Sequence, residues 1–342
     1  MLKLNHYYQI EGLLRNNIGD VIQGLAAKQF LNSNALALDR ENPKPENEND
    51  GLLIGNGWYQ HNFENFPPPL NIKPFYISIH IAKSEFLHSS SIRNHFKFHE
   101  PIGCRDYKTL WLFRAFGIAA YYSGCLTLTF ENSCKDILKT SKVLWVDNID
   151  HKIPKNIEDK LNELFPLGIT KISHDPIEIN ASFKYYVTQN ETLVAELFEN
   201  YKKASLVLTS KIHCAIPCLA MGVPVILIHP NPKDPRLDLI RQIGHIISYD
   251  DLLTLNKLPS LEINKRKLNF LRKRMIFLTK KAVESNKNPF QNSDSPKLFF
   301  QAFYFKLVSR LFHFFVVLIW SLKIQRTKLT RILGINFLNN SF

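Results

Sequence analysis

A strand–turn–helix–strand pattern in residues 204–228 limits which folds are open to this chain. The small and β-branched residues of Ser205–Thr209 predict a buried strand. Apolar residues then recur at helical spacing, Gly222 and Pro224 end that helix, and Val225–Ile228 predicts the next buried strand. Buried strands joined by a helix indicate a parallel sheet, and such sheets bind ligands beyond the carboxyl ends of their strands.

The turn after the first of these strands carries candidate ligand-binding and catalytic residues. They are Thr209, Ser210, Lys211 and His213. Together they place two hydroxyls, a cation and an imidazole at a helix N-terminus, which Ser210 is positioned to cap. This set suits an anionic ligand, because helix N-termini and cations both attract negative charge. A plain helix cap with a solvated lysine and a structural histidine fits the same pattern, so both interpretations stay open here.

Predicted strands and helices alternate along most of the 342 residues, a length that suits two ordinary domains. A polar segment at 131–140 predicts a linker between two series of elements. We therefore expect an α/β fold with two Rossmann-like parallel-sheet domains, over 1–138 and 139–262, with the donor site in the second. Residues 263–342 are expected to form a basic helix and a helical tail. Further strands are predicted over 2–10, 75–82, 142–146 and 168–173, and helices over 110–116, 157–165, 191–203 and 264–285.

The net charge of +13 favours acidic ligands or anionic surfaces. Basic residues cluster over Lys265–Lys281 and Lys306–Arg331, so much of the excess lies outside the proposed site. The sequence carries no recognised nucleic-acid-binding motif, and we expect no nucleic-acid partner. The five cysteines form no CxxC pair, and Cys214 and Cys218 have a spacing that suits packing rather than metal binding. We therefore expect no metal, no cofactor and a reducing, cytoplasmic location.

The tail over Phe299–Leu322 is rich in Phe, Leu and Val. Its cleanest apolar run, Leu311–Leu322, is about a dozen residues long, whereas a spanning helix needs roughly 20. Basic residues flank the run, which favours a helix lying on the inner face of a membrane, on anionic lipid. Packing of the tail against the protein itself is the alternative.

A glycine-containing turn over Asn16–Asp20 precedes the first predicted helix. Asn17, Gly19 and Asp20 form a candidate ligand loop, because a glycine lets the backbone approach a ligand closely. A capped helix start fits the same residues.

A second glycine turn is predicted at the end of a strand over Gly51–Ile54. It contains Gly57 and leads to Trp58, which either stacks on a sugar ring or joins the core.

The segment Pro101–Thr109 contains a predicted short strand that ends at Cys104 and is followed directly by Arg105. The planar guanidinium of Arg105 matches a carboxylate or a phosphate, although a structural pair with Asp106 or a helix cap formed by Asp106 fits as well. Small and hydroxyl-bearing residues over Gly124–Thr129, among them Thr127, are candidates to line a cleft.

Several of these pieces, in this order and spacing, resemble the polysaccharide pyruvyl transferase family over roughly residues 1–250. The matching segments are Asn17-Ile18-Gly19-Asp20 with Gln23, Gly55-Asn56-Gly57-Trp58, Gly103-Cys104-Arg105-Asp106, Ser123-Gly124-Cys125-Leu126-Thr127-Leu128, Leu208-Thr209-Ser210-Lys211-Ile212-His213 and Gly222-Val223-Pro224-Val225-Ile226. Lys211 departs from the family, which usually has Arg there, so the charge is kept and the bidentate fork is lost. Cys214 stands where Gly is common.

The resemblance implies a two-domain fold similar to that of GT-B glycosyltransferases and transfer of a pyruvyl group from phosphoenolpyruvate to sugar hydroxyls, forming a ketal. The acceptor would be a glycan or a lipid-linked sugar. On this hypothesis Arg105 and Lys211 bind the two anionic groups of phosphoenolpyruvate, and His213 is the acid or a phosphate ligand. Asp20 or Asp106 would accept a proton from the acceptor.

Two other classes of function stay open on the sequence. A GT-B-type glycosyltransferase would share the fold and the cationic site but use a nucleotide-sugar. A non-catalytic glycan-assembly protein, held at the membrane by the tail, would be consistent with the departure at Lys211.

Overall fold

The computed structural model describes residues 5–12, 14–45, 49–131, 141–150, 153–177, 180–291 and 295–333, with side chains up to residue 321. It contains two parallel sheets, which confirms the expected α/β class with two Rossmann-like units. We refer to residues 5–131 as the first unit and to residues 141–254 as the second unit. The linker predicted at 131–140 lies outside the described residues, apart from Glu131.

Six strands and three helices form the first unit. The strands are β1 (Asn5–Ile10), β2 (Leu36–Asp39), β3 (Gly51–Tyr59), β4 (Ile72–Ile81), β5 (Ile102–Cys104) and β6 (Ala120–Tyr122), and the helices are α1 (Ile18–Lys28), α2 (Ser90–Phe98) and α3 (Tyr107–Ala115). The spatial order of the strands is β2-β1-β3-β4-β5-β6. Strands β3 and β4 are buried along almost their whole length, as is typical of strands covered on both faces.

Five strands and five helices form the second unit. The strands are β7 (Val143–Asp147), β8 (Ile169–Ser173), β9 (Leu206–Thr209), β10 (Val225–Ile228) and β11 (Ile246–Ile247), and the helices are α4 (Lys155–Leu164), α5 (Phe183–Lys203), α6 (Ile212–Met221), α7 (Asp238–Ile243) and α8 (Tyr249–Thr254). The spatial order is β11-β10-β9-β7-β8. The strand–helix–strand pattern that opened the sequence analysis is therefore β9-α6-β10, at the centre of this sheet.

The glycine turn predicted after residue 54 is wrong, because β3 continues through it to Tyr59. Its pairing with β4 shifts register between Gly55 and Gly57, and Gly57 has a φ of +100°. A bulge of this kind accommodates a positive φ without ending the strand, and it changes the direction in which the next side chain points.

One apolar core continues from the first unit into the second, joining residues such as Ile10 and Val207. Polar contacts accompany it: the Tyr8 hydroxyl and Lys28 Nζ both lie 2.7 Å from the Glu191 carboxylate on α5. These contacts hold the two sheets together and fix the cleft between them.

Two long helices follow the second unit, α9 (Lys265–Ser285) and α10 (Pro296–Leu333). Helix α10 runs beside α3, where the rings of Trp111 and Phe312 lie 5.0 Å apart. By length and composition alone, Pro296–Ser321 is apolar enough to cross a membrane, and 17% of its most apolar window is buried in the protein.

Candidate functional site

A cavity of about 510 Å³ lies between the two units, at the carboxyl ends of strands from both sheets. The first unit lines it with Leu14, Asn16, Asn17, Asp20, Gln23, Trp58, His61 and Arg105, and the second with Asn148, His174, Ser210, Lys211, Ile212, His213, His229, Pro230 and Arg236. This is the position at which doubly wound sheets bind ligands, and the volume suits a small molecule.

The structure brings seven of the residues predicted from sequence to this cavity. They are Asn17, Asp20, Trp58, Arg105, Ser210, Lys211 and His213. Four others do not line it. Thr127 is fully buried in a 3₁₀ turn, where its hydroxyl lies 3.1 Å from Cys125 Sγ. Thr209, Gly19 and Gly57 lie next to residues that line the cavity, and they constrain the positions of those residues.

The turn between β9 and α6 differs in detail from the sequence prediction. Lys211, not Ser210, is the N-cap residue of α6, and it makes no side-chain cap hydrogen bond. Thr209 closes the turn instead: its hydroxyl accepts a hydrogen bond from the Lys211 amide at 2.9 Å and donates to the Val146 carbonyl at 2.7 Å. Thr209 thereby ties the turn to β7 and leaves the Ser210 side chain at the cavity.

Arg105 links the two units at the centre of the site. Its Nη1 donates to Gln23 Oε1 at 3.0 Å and lies 3.3 Å from His213 Nε2. The side chain is almost completely buried, and no carboxylate in the described part of the chain lies within ion-pair distance of it. A buried cation without a paired anion is costly in free energy unless a ligand supplies the negative charge.

His213 is electrostatically unusual. Burial, and after it the positive charge of Arg105, holds the pKa of His213 well below its ordinary value. The imidazole is therefore neutral in the free protein, and Nε2 is the atom that accepts from Arg105. Nδ1 then carries the proton, and this buried atom has no hydrogen-bond partner in the structure.

Lys211 is shared between the cavity and a buried carboxylate. Its Nζ lies 3.0 Å from Asp147 Oδ1, and the Asp147 side chain is 3% exposed. Nearby, burial and the charge of Lys211 lower the pKa of His174 to about 4, so His174 is also neutral. The positive charge of Lys211 is consequently offset in part before any ligand arrives.

Asp20 is held by two side chains of the first unit. Arg40 Nη1 donates to Asp20 Oδ1 at 2.8 Å, and Gln23 Nε2 donates to the same oxygen at 3.3 Å. Because Gln23 also accepts from Arg105, the three side chains connect Asp20 to the centre of the site. Arg40 is 1% exposed and was not predicted from sequence, because it follows β2 on the far side of β1.

Two glycines of the predicted motifs, Gly19 and Gly57, allow other side chains to pack close to the backbone. A Cβ on Gly19 would lie 2.8 Å from His213 Cδ2, so only glycine lets α1 start against the imidazole. A Cβ on Gly57 would lie 3.0 Å from Arg40 Nη1, in addition to the positive φ. Asn17 caps α1 by accepting from the Gly19 amide at 3.0 Å and also lines the cavity, so both interpretations of that loop apply.

The alternatives left open for Arg105 and Asp106 are also resolved. Asp106 is the N-cap of α3, where it accepts from the Thr109 amide at 2.8 Å. It lies 2.6 Å from His80 Nδ1 rather than pairing with Arg105. Burial raises the pKa of Asp106, but the hydrogen bond from His80 and the nearby charges outweigh it and leave that pKa below its usual range. Asp106 is therefore a structural anion beside the cavity, and Arg105 is left to face the cavity.

Several lining residues of the second unit were missed by sequence analysis, among them two that follow β10. His229 and Arg236 lie in the proline-rich segment after β10, to which sequence analysis assigned no role. Arg236 is held by Asp234, with Nη2 2.6 Å from Oδ2. Their only sequence signal was their position just after a buried strand, the same signal that identified Lys211.

Within the described ranges, no group of three His, Cys, Asp or Glu side chains is placed to hold a metal ion. The arrangement is instead a cationic pocket with two neutral imidazoles, which suits a small organic anion.

Comparison with known proteins identifies a family for this chain. A family model described as polysaccharide pyruvyl transferase matches residues 17–232, more than half of the chain. None of the curated proteins searched matches. Among solved structures, a functionally uncharacterised protein from Klebsiella pneumoniae is similar with a TM-score of 0.42 and 12% sequence identity, over 69% of this chain and 87% of that one.

Proposed function

The chain belongs to the polysaccharide pyruvyl transferase family, and we propose that it transfers the pyruvyl group of phosphoenolpyruvate to hydroxyls of a sugar, forming a ketal. The acceptor would be a polysaccharide or its precursor, as a glycan or a lipid-linked sugar. The observation that carries the proposal is Arg105, a buried cation at the cavity without a described carboxylate partner.

Phosphoenolpyruvate carries a carboxylate and a phosphate, and the cavity offers more than one cation to receive them. Arg105 comes from the first unit, whereas Lys211 and Arg236 come from the second. Arg105 would take one anionic group through its planar fork, and Lys211 with the N-terminus of α6 would take the other. A ligand held in this way bridges the two units.

Lys211 fits this scheme despite the departure from the family's usual Arg. Lysine binds phosphate as a point charge and does not need bidentate geometry. Its partner Asp147 holds Nζ at the cavity and would be displaced in part by the incoming anion. The substitution therefore changes the geometry of anion binding rather than removing the cation.

The chemistry requires a proton on the terminal enol carbon of phosphoenolpyruvate. Protonation leaves positive charge at the adjacent carbon, and a sugar hydroxyl attacks that carbon as its proton is removed. The carbon–oxygen bond to phosphate then breaks, and its electrons leave with inorganic phosphate. A second hydroxyl attacks the same carbon and closes the ketal, and its proton goes to the departing phosphate. His213 would supply the first proton once the bound anion has raised its pKa, and a positioned acid of this kind contributes about 10²–10⁴ in rate.

Asp20 stays a predicted proton acceptor for the attacking hydroxyl. Its Oδ1 is occupied by Arg40 and Gln23, so Oδ2 is the oxygen that would take the proton. In this scheme the same contacts hold the carboxylate in one orientation at the cavity wall.

Calorimetric titration tests the donor directly. Phosphoenolpyruvate and a panel of nucleotide-sugars are titrated into the wild type, into His213→Ala and into His88→Ala, an exposed histidine outside the cavity, as the control. We expect phosphoenolpyruvate to bind the wild type and the control equally and to bind His213→Ala more weakly.

Binding of a nucleotide-sugar, without binding of phosphoenolpyruvate, would indicate that the protein is a glycosyltransferase. If neither ligand binds, alone or with an oligosaccharide acceptor present, the result would favour a non-catalytic role in glycan assembly.

A further inference from the structure

Helix α10 is fixed to the first unit along one stripe. Leu298, Ala302, Phe305 and Ser309 are buried at helical spacing. The Phe305 ring lies 5.1 Å from the Tyr121 ring, and Ser309 Oγ accepts from the Ala120 amide at 3.3 Å. This inner stripe accounts for the packing of α10 on the body of the protein.

The opposite stripe of α10 is also apolar, although it faces outward. Phe299, Phe303, Leu307, Leu311, Phe314 and Leu318 recur at helical spacing and are between 42% and 60% exposed. A helix that is apolar on both faces needs a partner on both, because a soluble helix normally turns polar residues outward. A contiguous exposed apolar patch marks an interaction surface.

The charge of the chain identifies the partner of this surface. Residues 263–342 contain 16 of the 43 Lys and Arg but only 2 of the 30 acidic residues, so the rest of the chain is close to neutral. The described parts of α9 and α10 hold a single carboxylate, Glu284, which pairs with Lys281 at 2.7 Å. An apolar surface with one-signed basic surroundings is complementary to anionic lipid.

The basic and apolar groups meet in a groove of about 720 Å³ between α9 and α10. Phe270, Phe277 and Phe300 line it together with Lys273 and Lys297. All five of these side chains are exposed. This arrangement puts aromatic rings and ammonium groups side by side, as the boundary between acyl chains and headgroups requires.

We propose that the exposed apolar stripe of α10, together with the groove between α9 and α10, docks on the surface of a bilayer that contains anionic lipid. In this arrangement α10 lies in the plane of the membrane. The inner stripe rules out a span over the first half of α10, because the body of the first unit is packed against it. Beyond Trp320 the sequence contains Lys323, Arg326, Lys328 and Arg331, which suit headgroups and not the bilayer centre.

Vesicle flotation with the full chain tests this surface. Vesicles of phosphatidylcholine alone are compared with vesicles of phosphatidylcholine and phosphatidylglycerol. We expect flotation with the anionic vesicles that weakens as salt is added. The variant Lys265→Gln/Arg266→Gln/Lys273→Gln should bind about a hundredfold more weakly, at roughly fivefold for each cation removed. Its matched control changes three exposed lysines elsewhere, namely Lys155, Lys184 and Lys257, to Gln and should bind like the wild type.

The apolar contribution has its own pair of variants. Phe303→Ser/Leu307→Ser/Leu311→Ser should abolish flotation, whereas Ile149→Ser/Leu167→Ser, at positions more than 80% exposed in the second unit, should not. Equal binding to neutral and anionic vesicles, or equal loss in the test and control variants, would overturn the proposal. So would a dimer in light scattering that dissociates in the α10 variant while the wild type fails to float, since the occupant would then be a second copy.

Trp320 reports the depth of the helix. It is 67% exposed on α10, and its fluorescence is obtained from the difference between the wild type and Trp320→Phe on the anionic vesicles. Lipids brominated near the headgroup should quench this difference signal more than lipids brominated near the chain ends. Strongest quenching from the chain ends would contradict an in-plane helix.

Discussion

Arg105 Nη1 lies 3.3 Å from His213 Nε2, across the boundary between the two units of the protein. Arg105 follows β5 in the first sheet, and His213 lies in the first turn of α6, after β9 in the second. The contact joins a buried cation to a neutral imidazole whose other nitrogen is buried without a partner. Binding of an anion at this point affects the charge of both residues, and the predictions below follow from that coupling.

Substitution of Arg105 should weaken binding of phosphoenolpyruvate according to what the new side chain retains. Arg105→Lys keeps the charge and loses the fork, so we expect about a tenfold weaker Kd; Arg105→Met loses both and should cost about a hundredfold. Calorimetry provides the measurement. Arg93→Met is the matched control, because Arg93 donates to backbone carbonyls of Leu87 and His88 away from the cavity. Equal losses in Arg93→Met and Arg105→Met would show a general effect on folding.

Neutralising Asp147 should strengthen anion binding. Asp147→Asn keeps the shape of the side chain but removes the carboxylate that offsets Lys211 at 3.0 Å, so we expect phosphoenolpyruvate to bind about three- to tenfold more tightly. Asp159→Asn, which disturbs an exposed pair with Lys155 on α4, is the control and should leave the affinity unchanged. Weaker binding in an Asp147→Asn protein of unchanged thermal stability would place Lys211 outside the anion site.

Binding of phosphoenolpyruvate should be accompanied by uptake of a proton at His213. Burial and Arg105, together with Arg236 and Arg40, keep the pKa of His213 low in the free protein. A bound anion adds negative charge beside the ring and raises that pKa, so the complex binds a proton that the free protein does not. By linkage, affinity must fall as pH rises through the His213 pKa of the complex.

Titrations in buffers of different ionisation enthalpy measure this uptake. The ligand phosphate contributes protons of its own, so the informative quantity is the difference between the wild type and His213→Gln at one pH. We expect that difference to be positive and to vanish at high pH. Identical proton uptake in the two proteins would exclude protonation of His213.

Gly19→Ala should reduce activity by more than its loss of stability explains. The new Cβ would lie 2.8 Å from His213 Cδ2 and push the imidazole away from Arg105. Alanine in place of glycine inside a helix is otherwise favourable by about 0.5–1 kcal/mol, which offsets part of the cost of the close contacts with His213 and Asn17, so the variant should still fold. Release of inorganic phosphate from phosphoenolpyruvate in the presence of acceptor should drop at least tenfold, a figure of about 1.4 kcal/mol in the barrier. An active Gly19→Ala enzyme would mean that the position of His213 is not critical.

The sequence by itself determined the parallel α/β class and the location of many strands. Buried strands such as β9 and β10 are recognisable because runs of β-branched residues bounded by glycine and proline are local signals. The same reasoning identified Arg105, Lys211 and His213, since residues that follow a strand in a parallel sheet lie at the edge where ligands bind.

Only the tertiary structure decided which strand ends meet. Gln23 and Arg105 are separated by 82 residues, and the order of β1, β3, β4 and β5 in the sheet brings them together. The same dependence on packing explains why Arg236 was not identified from the sequence. Local patterns fix where a strand ends, but the distance between two strand ends depends on sheet order and on how the two units pack, which no single segment encodes.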